Sequence, residues 1–258
     1  MKKILLASGC SFTDKNYVSS FHPEMTCDWP KWPELLAKKL DMDYINLGRN
    51  GAGNEYIYSI LLEQILKTED KSTIGLVIPA WTQCQRKDYQ SGYQGTWIQK
   101  RIDPNGDVMS YVRKDLRYMI SLQIICKQFN IPLKQFQMIS LFDRFISGLP
   151  KTDAEVYQNR HNPNFERTYK YIPNRTTKED RLKCNKIMIE YEPYINVKNF
   201  IGWPSIPRIG GFDIEQKTLR YDKEGKMIFN EKLTVSNLDT HPNEKGHEKI
   251  AEFLYEQL

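Results

Sequence analysis

The feature that most constrains this chain is an alternation of short apolar runs with stretches of helical spacing. KILLAS (3–8), DYINL (43–47), IGLVIP (74–79) and PLKQFQMI (132–139) read as strands, with a weaker run at NVKNFI (196–201). Helical spacing occupies 33–40, 54–67, 113–129 and 243–257. In the last of these Ile250, Phe253, Leu254 and Leu258 keep one face, and Pro242 and Asn243 suit its start. Strands joined through helices need crossover connections, so the pattern predicts βαβ units and a mostly parallel sheet covered on both faces. The segment from about 143 to 236, rich in Pro, Asn, Tyr and charge, breaks the rhythm and shows no repeat. It is expected to be an elaboration on one domain spanning residues 1–258, and a stretch of that length without periodicity is commonly functional.

Composition narrows the class. Hydrophobic residues make up 40% and charged residues 27%, which suits a packed globular domain. The 37 Lys and Arg against 32 Asp and Glu leave +5, but the basic residues are scattered, so no nucleic-acid partner is expected. NRTTKEDRLK (174–183) mixes Glu179 and Asp180 with its bases and reads as a solvated helix start. Cys10, Cys27, Cys84, Cys126 and Cys184 are odd in number and form no CxxC or Cys/His cluster, which argues against a disulfide framework and a zinc site and favours a reducing compartment. The N-terminal apolar run is about five residues long, better suited to a first strand than to a signal peptide, and no run approaches the roughly 20 apolar residues of a membrane span. No membrane partner and no cofactor are expected.

Two short blocks carry chemistry. The first strand runs into Gly9-Cys10-Ser11-Phe12-Thr13, placing a serine at the carboxyl end of strand one, where open parallel sheets hold their ligands. By itself Ser11 reads more readily as a helix N-cap; a helix beginning there would supply N–H groups for an oxyanion. Near the other end, Asp239-Thr240-His241-Pro242-Asn243 precedes the final helix. Residues two apart in extended chain face the same side, so Asp239 could orient His241, a base suited to neutral pH, although a solvated loop pair is the plainer reading of D-x-H alone.

Taken together, GCSFT and DTHPNEKGH resemble the nucleophile and base blocks of the SGNH (GDSL-like) hydrolase superfamily, and INLGRNGAGN (45–54) resembles its second block, whose glycine N–H joins the oxyanion hole. The resemblance covers residues 1 to about 140 and the last twenty or so. It implies a flavodoxin-like three-layer α/β/α fold with a mostly parallel sheet of about five strands, and a serine esterase acting through an acyl-enzyme. Ser11, Asp239 and His241 would form the triad, with the Ser11 and Gly51 N–H groups in the oxyanion hole and Gly48 and Gly53 as lesser candidates. The family's third block, GxND, is replaced by Pro79-Ala80-Trp81-Thr82-Gln83. Thr82 or Gln83 could supply the missing side-chain donor, or Asn54 could reach in; Asn54 is favoured because a carboxamide N–H is a fixed donor. The aspartate also stands two residues before the histidine, where three is the usual spacing.

The implied substrate is a small-molecule or carbohydrate ester, an acetyl group on a sugar being the frequent case. Acyl transfer and a non-catalytic binding or structural protein on the same fold are the alternatives. Short Lys/Asn/Tyr-rich chains of this kind are often phage-encoded, so cytoplasmic or virion-associated locations are both expected. Among the remaining residues, Arg86 suits either a substrate anion or a surface site, His247 reads as structural on the Ile250/Leu254 face, and His22 and His161 gain no role. Trp29 and Trp32 read as core before sugar platform. The 143–236 segment is expected over the carboxyl edge of the sheet, with Tyr191, Tyr194 and Trp203 offering contact area.

Overall fold

The computed structural model describes residues 2–93, 95–100, 107–139, 178–201, 219–221, 227–229, 233–236 and 239–258. Its centre is β3 (Ile74–Trp81), an apolar run buried at every position. Such a strand must be covered on both faces and flanked on both edges. β1 (Ile4–Ser8) lies parallel to it on one side, with Ser8 opposite Pro79, and β2 (Asp43–Asn46) lies parallel beyond β1. On the other side, β4 (Lys87–Ser91) and β5 (Thr96–Lys100) do not continue the sheet but pair with each other as an antiparallel hairpin. The neighbour of β3 is instead the short β6 (Phe136–Gln137), preceded by a parallel bridge from Val77 to Leu133.

The four-stranded parallel sheet therefore runs β2-β1-β3-β6. The fifth strand expected at 196–201 is reduced to a single parallel bridge between Gln135 and Phe200, because a 3-10 turn over Val197–Asn199 takes up the chain just before it. The run expected to be a strand over 132–139 is likewise mostly bridges and loop. Two-stranded pairing of β7 (Leu219–Tyr221) with β8 (Met227–Phe229) lies in the elaborated segment.

Helices close both faces. α1 (Trp32–Lys39) and α5 (Glu244–Glu256) pack together on one, while α2 (Asn54–Lys67), α3 (Val108–Gln128) and α4 (Lys178–Tyr191) pack in succession on the other. The expected α/β class and three layers are thus present. The chain leaves β1 toward β2 and returns past β1 to β3, so a topological switch point opens at the carboxyl ends of β1 and β3.

The elaborated segment divides. Its described helix α4 packs against α3, and Cys184 is buried near Cys84 in the loop after β3. The stretch 233–236 folds into the loop that carries Asp239. Tyr194 is exposed at 66% and Tyr191 is half-buried, while Trp203 and His161 lie outside the described residues. All five cysteines are buried and none is in a disulfide, and no described helix is long and apolar enough to cross a membrane.

His247 fulfils its structural reading. It is buried among the residues of α5 that face α1, and its Nδ1 accepts the first N–H of α1, from Trp32, at 3.3 Å. Burial, with the positive fields of Lys31 and His241, pushes its pKa well below the ordinary histidine value. In the unfolded chain the ring takes a proton below about pH 6.5, whereas the folded site resists it, so the stability His247 confers is present above that pH and is lost as pH falls below it. His247→Ala, which leaves a cavity and an unpartnered N–H, should cost about 2–4 kcal/mol at pH 7.5. Denaturant unfolding of both proteins at pH 7.5 and pH 5 should show that gap narrowing at the lower pH; an unchanged gap would contradict a neutral, buried His247.

Candidate active site

Ser11 sits three residues beyond β1 in a tight turn, with the Thr13 and Asp14 N–H groups both donating to the Cys10 carbonyl at 2.8 and 3.1 Å. A Cβ at Gly9 would stand 2.2 Å from Thr13 Oγ1 and 3.0 Å from Ala80 Cβ, so the turn can double back on β1 only with glycine there. No helix begins at this turn, since α1 starts at Trp32. Ser11 is therefore not an N-cap, and the helix-terminus contribution that the sequence suggested is absent. The Ser11 side chain is instead engaged by a residue 230 positions away: its Oγ lies 2.8 Å from His241 Nε2.

His241 is held by Asp239 through a local device. Asp239 Oδ1 accepts the His241 backbone N–H at 3.1 Å and lies 2.5 Å from His241 Nδ1. This is an Asx-turn, a fold-back of carboxylate onto the N–H two residues on, and it explains why a spacing of two suffices. The extended geometry expected for the pair is not what unites them. The loop is closed by Val235 N–H donating to the His241 carbonyl at 2.8 Å and by Ser236, whose N–H donates to the Asp239 carbonyl and whose Oγ accepts the Asp239 N–H, both at 3.0 Å. His22, given no role from sequence, lies behind it with Nε2 2.7 Å from Ser236 Oγ.

Asp239 is almost wholly buried. Burial works to raise its pKa, but hydrogen bonding and charge from His241, with hydrogen bonds from Ser19 and Tyr17, outweigh it and hold the carboxyl well below the usual range. It is ionised at neutral pH and accepts only. The tautomer that fits the contacts carries its proton on Nδ1, leaving Nε2 free to accept from the Ser11 hydroxyl.

The second loop, after β2, lies beside the first. Its amides are accounted for one by one: Leu47 N–H to Ala7 O, Gly48 N–H to Asn46 Oδ1, Arg49 N–H to Gly9 O, Asn50 N–H to Asp14 Oδ2, Ala52 N–H to Arg49 O, and Gly53 N–H to the Asp88 carboxylate. Among the described residues only the Gly51 N–H in this run has no partner. Gly51 has φ +75, which favours glycine, and its α-carbon faces open space. The lesser candidates Gly48 and Gly53 have their N–H groups committed.

The side-chain donors proposed from sequence fare differently. Asn54 is 1% exposed and gives both N–H directions away, to Thr82 O at 2.9 Å and Asp115 Oδ2 at 2.6 Å, while its Oδ1 accepts the Thr82 N–H at 2.7 Å. It is a brace between α2, α3 and the end of β3, with no proton left for an oxyanion. Thr82 is fully buried and its hydroxyl has no partner among the described residues, so it faces the interior and not the crevice. The two expectations are corrected for different reasons: the Asn54 amide is spent where the sheet meets its helices, and the Thr82 hydroxyl is buried away from the crevice.

Gln83 differs. It is half-buried, and its Oε1 accepts Arg86 Nε at 3.0 Å, which fixes the carboxamide with Nε2 uncommitted among the described residues. Arg86 is not a loose surface cation, because its Nη1 also donates to Ala52 O at 2.9 Å, joining the loop after β3 to the Gly51 loop. Trp32 is core, donating through Nε1 to Thr13 Oγ1 at 3.2 Å, and Trp29 lies under the Lys31 ammonium. Among the described residues no group of three or more His, Cys, Asp and Glu is placed to hold a metal.

Sequence reasoning missed two features. Tyr17 places its hydroxyl 2.6 Å from Asp239 Oδ2 and 2.9 Å from His241 Nδ1. Asp88, on the hairpin, accepts the Gly53 N–H at 3.0 and 2.9 Å and the Tyr56 N–H at 3.0 Å, so it caps α2, whose own N-cap residue, Gly53, has no side chain for the task. The glycines of SGYQG between alternating residues were a hairpin signal. Tyr17 left no local signal.

No family model matches the chain, and no curated protein matches it. Among solved structures it is similar to one named as a lipolytic protein of the G-D-S-L family from Desulfitobacterium hafniense, at 16% identity and TM-score 0.46 over 99% of each chain. A chain named as an SGNH hydrolase from Slackia heliotrinireducens shows 12% identity and TM-score 0.45, over 100% of this chain and 99% of that one. A chain named as a GDSL-like lipase from Parabacteroides merdae shows 13% identity and TM-score 0.43, over 99% and 95%.

The bracing role of Asn54 makes a prediction. Asn54→Ala removes three hydrogen bonds and strips the buried Asp115 of its donor, so it should lower stability by about 3 kcal/mol. Gln83→Ala should leave the denaturation midpoint within experimental scatter. A stable Asn54→Ala protein would mean the brace is dispensable.

Proposed function

We propose that the chain is a serine esterase that hydrolyses a small acyl ester, with an acetyl group on a carbohydrate as the first candidate, through an acyl-enzyme on Ser11. The observation that carries this reading is the continuous line Ser11 Oγ, His241 Nε2, His241 Nδ1, Asp239 Oδ1, with contacts of 2.8 and 2.5 Å at the switch point of a parallel sheet. A hydroxyl, a base free to take its proton and a buried carboxylate orienting the base are the parts that nucleophilic acyl transfer needs.

In this mechanism His241 Nε2 takes the Ser11 proton as Oγ bonds to the ester carbonyl carbon. The carbonyl electron pair moves onto oxygen. The Ser11 and Gly51 N–H groups, both without partners among the described residues, are offered to that oxyanion, with Gln83 Nε2 as the side-chain donor in place of the family's asparagine. Collapse expels the alcohol, which takes the proton from Nε2–H. Water then gives its proton to Nε2 as it attacks the acyl-enzyme, and collapse releases the acid while Nε2–H returns that proton to Ser11 Oγ. Asp239 stays ionised throughout and stabilises the imidazolium. Acetylated sugars follow from the resemblance to the superfamily, whose members often act on them.

A fluorophosphonate probe should label the intact protein once, and peptide mapping should find the label on the peptide containing Gly9–Thr13, with none on Ser11→Ala. Label on another serine would move the nucleophile elsewhere. With p-nitrophenyl acetate, Gln83→Ala should lower kcat by about a hundredfold to a thousandfold, the usual loss for one oxyanion donor, whereas an unchanged kcat would leave the two backbone donors as the whole hole.

A further inference from the structure

We infer that Tyr17 is the positioning residue of the Asp239–His241 pair: its hydroxyl fixes the carboxylate and its ring clamps the imidazole, so that Oδ1 faces His241 and Nε2 faces Ser11. The inference rests on the reading of His241 as the base. Tyr17 is 7% exposed, within a loop that contributes no strand or helix, and a buried phenol must find a hydrogen-bond partner. The partner here is the acid of the site. The hydroxyl donates to Asp239 Oδ2 at 2.6 Å, a charge-assisted distance, and its oxygen stands 2.9 Å from His241 Nδ1. The two rings stack with centroids 4.2 Å apart at 26°, while Phe12 packs tilted against the imidazole at 4.8 Å and 44°.

These contacts divide the carboxylate between two jobs. Oδ2 is taken by Tyr17, leaving Oδ1 for the His241 backbone N–H and ring. A carboxylate held on one oxygen cannot rotate about its bond to Cβ. An imidazole stacked on Tyr17 and packed against Phe12 is hindered from turning Nε2 away from Ser11. The phenol keeps its proton, since burial, then the hydrogen bond and charge of Asp239, push its pKa upward, so it is a donor at every working pH. Donation to Oδ2 also draws negative charge from Oδ1, so Tyr17 moderates the support that Asp239 gives the imidazolium.

Other groups also face the pair. Ser19 bonds Asp239, the buried Cys27 thiol lies beside Tyr17 and Asp239, His22 meets the pair through Ser236, and Lys31 and His247 stand behind. Of these only Ser19, which also hydrogen-bonds the Tyr17 hydroxyl, loses a contact when the phenolic oxygen is removed, and its bond to Asp239 remains.

The test is Tyr17→Phe, which keeps the ring and removes the donor. NMR titration of the ring resonances, assigned with His241→Gln, should show His241 titrating about one pH unit higher than in the wild type, and the acid limb of kcat/KM should move with it. On the plateau kcat should fall about tenfold, as for loss of a residue that orients a catalytic ligand, with KM unchanged because the hydroxyl faces the pair and not the crevice. A folded Tyr17→Phe protein with the wild-type His241 titration and kcat would overturn the inference. If that variant does not fold, the wild-type Tyr17 hydroxyl proton decides. Its low-field resonance must move as His241 titrates, and a resonance that ignores His241 would overturn the inference equally. Should the wild type neither hydrolyse esters nor react with fluorophosphonate, the esterase reading fails, and the titration still judges Tyr17.

Discussion

A carboxylate taken out of water must be surrounded by donors, and the site is built around satisfying one such group. Asp239 is 1% exposed, and its oxygens accept from the His241 backbone and ring and from Tyr17, with Ser19 adding a further bond. Each donor comes from a segment that has to be in place for the charge to be tolerated. The loop at 11–19 and the segments 233–236 and 239–243, at opposite ends of the chain, are therefore held together by the cost of leaving Asp239 unpaired. Ser11 lies in the first and His241 in the second, so satisfying the carboxylate also sets the proposed nucleophile and base at hydrogen-bond distance.

Two further acids organise the oxyanion side. Asp14 accepts the Asn50 N–H at 2.8 Å and ties the Ser11 turn to the Gly51 loop, and Asp88 caps α2 immediately after it. Behind them Asp115 is fully buried, with its pKa pushed well above the ordinary value, burial being the main cause and Asn54 the donor that opposes it. The loop from Gly48 to Gly53 has one amide to spare because carboxylates, carbonyls and the Asn46 side chain have taken the others. A free donor at Gly51 is what remains when everything around it has been bonded.

How much of this could be read from the residues follows from how local each signal is. α2 was legible to the residue because NEYIYSILLEQILK carries its helical period within itself. β1 and β3 were legible as apolar runs. The hairpin's turn was legible in the glycines of SGYQG but its strands were not, because their inward face carries a buried acid, Asp88, on the same side as Trp97, so the usual alternation is chemically inverted. Ser11, Asp239 and His241 could be named from their blocks, but the Asx-turn that unites the last two needed coordinates. Asn54 had the right chemistry for an oxyanion donor; what disqualifies it is Asp115, 61 positions later. Tyr17 was invisible since its partner lies 222 positions away.

The central claim is that Ser11 carries the acyl group between two half-reactions. Mixing the wild-type protein with excess p-nitrophenyl acetate, quenching in acid within milliseconds and weighing the intact chain tests it directly. The account predicts a species heavier by one acetyl group, mapped to Ser11, that decays at the rate of turnover and never forms in Ser11→Ala. Turnover by the wild type with no acylated Ser11 at any quench time, or an equal acetyl adduct in Ser11→Ala, would contradict it.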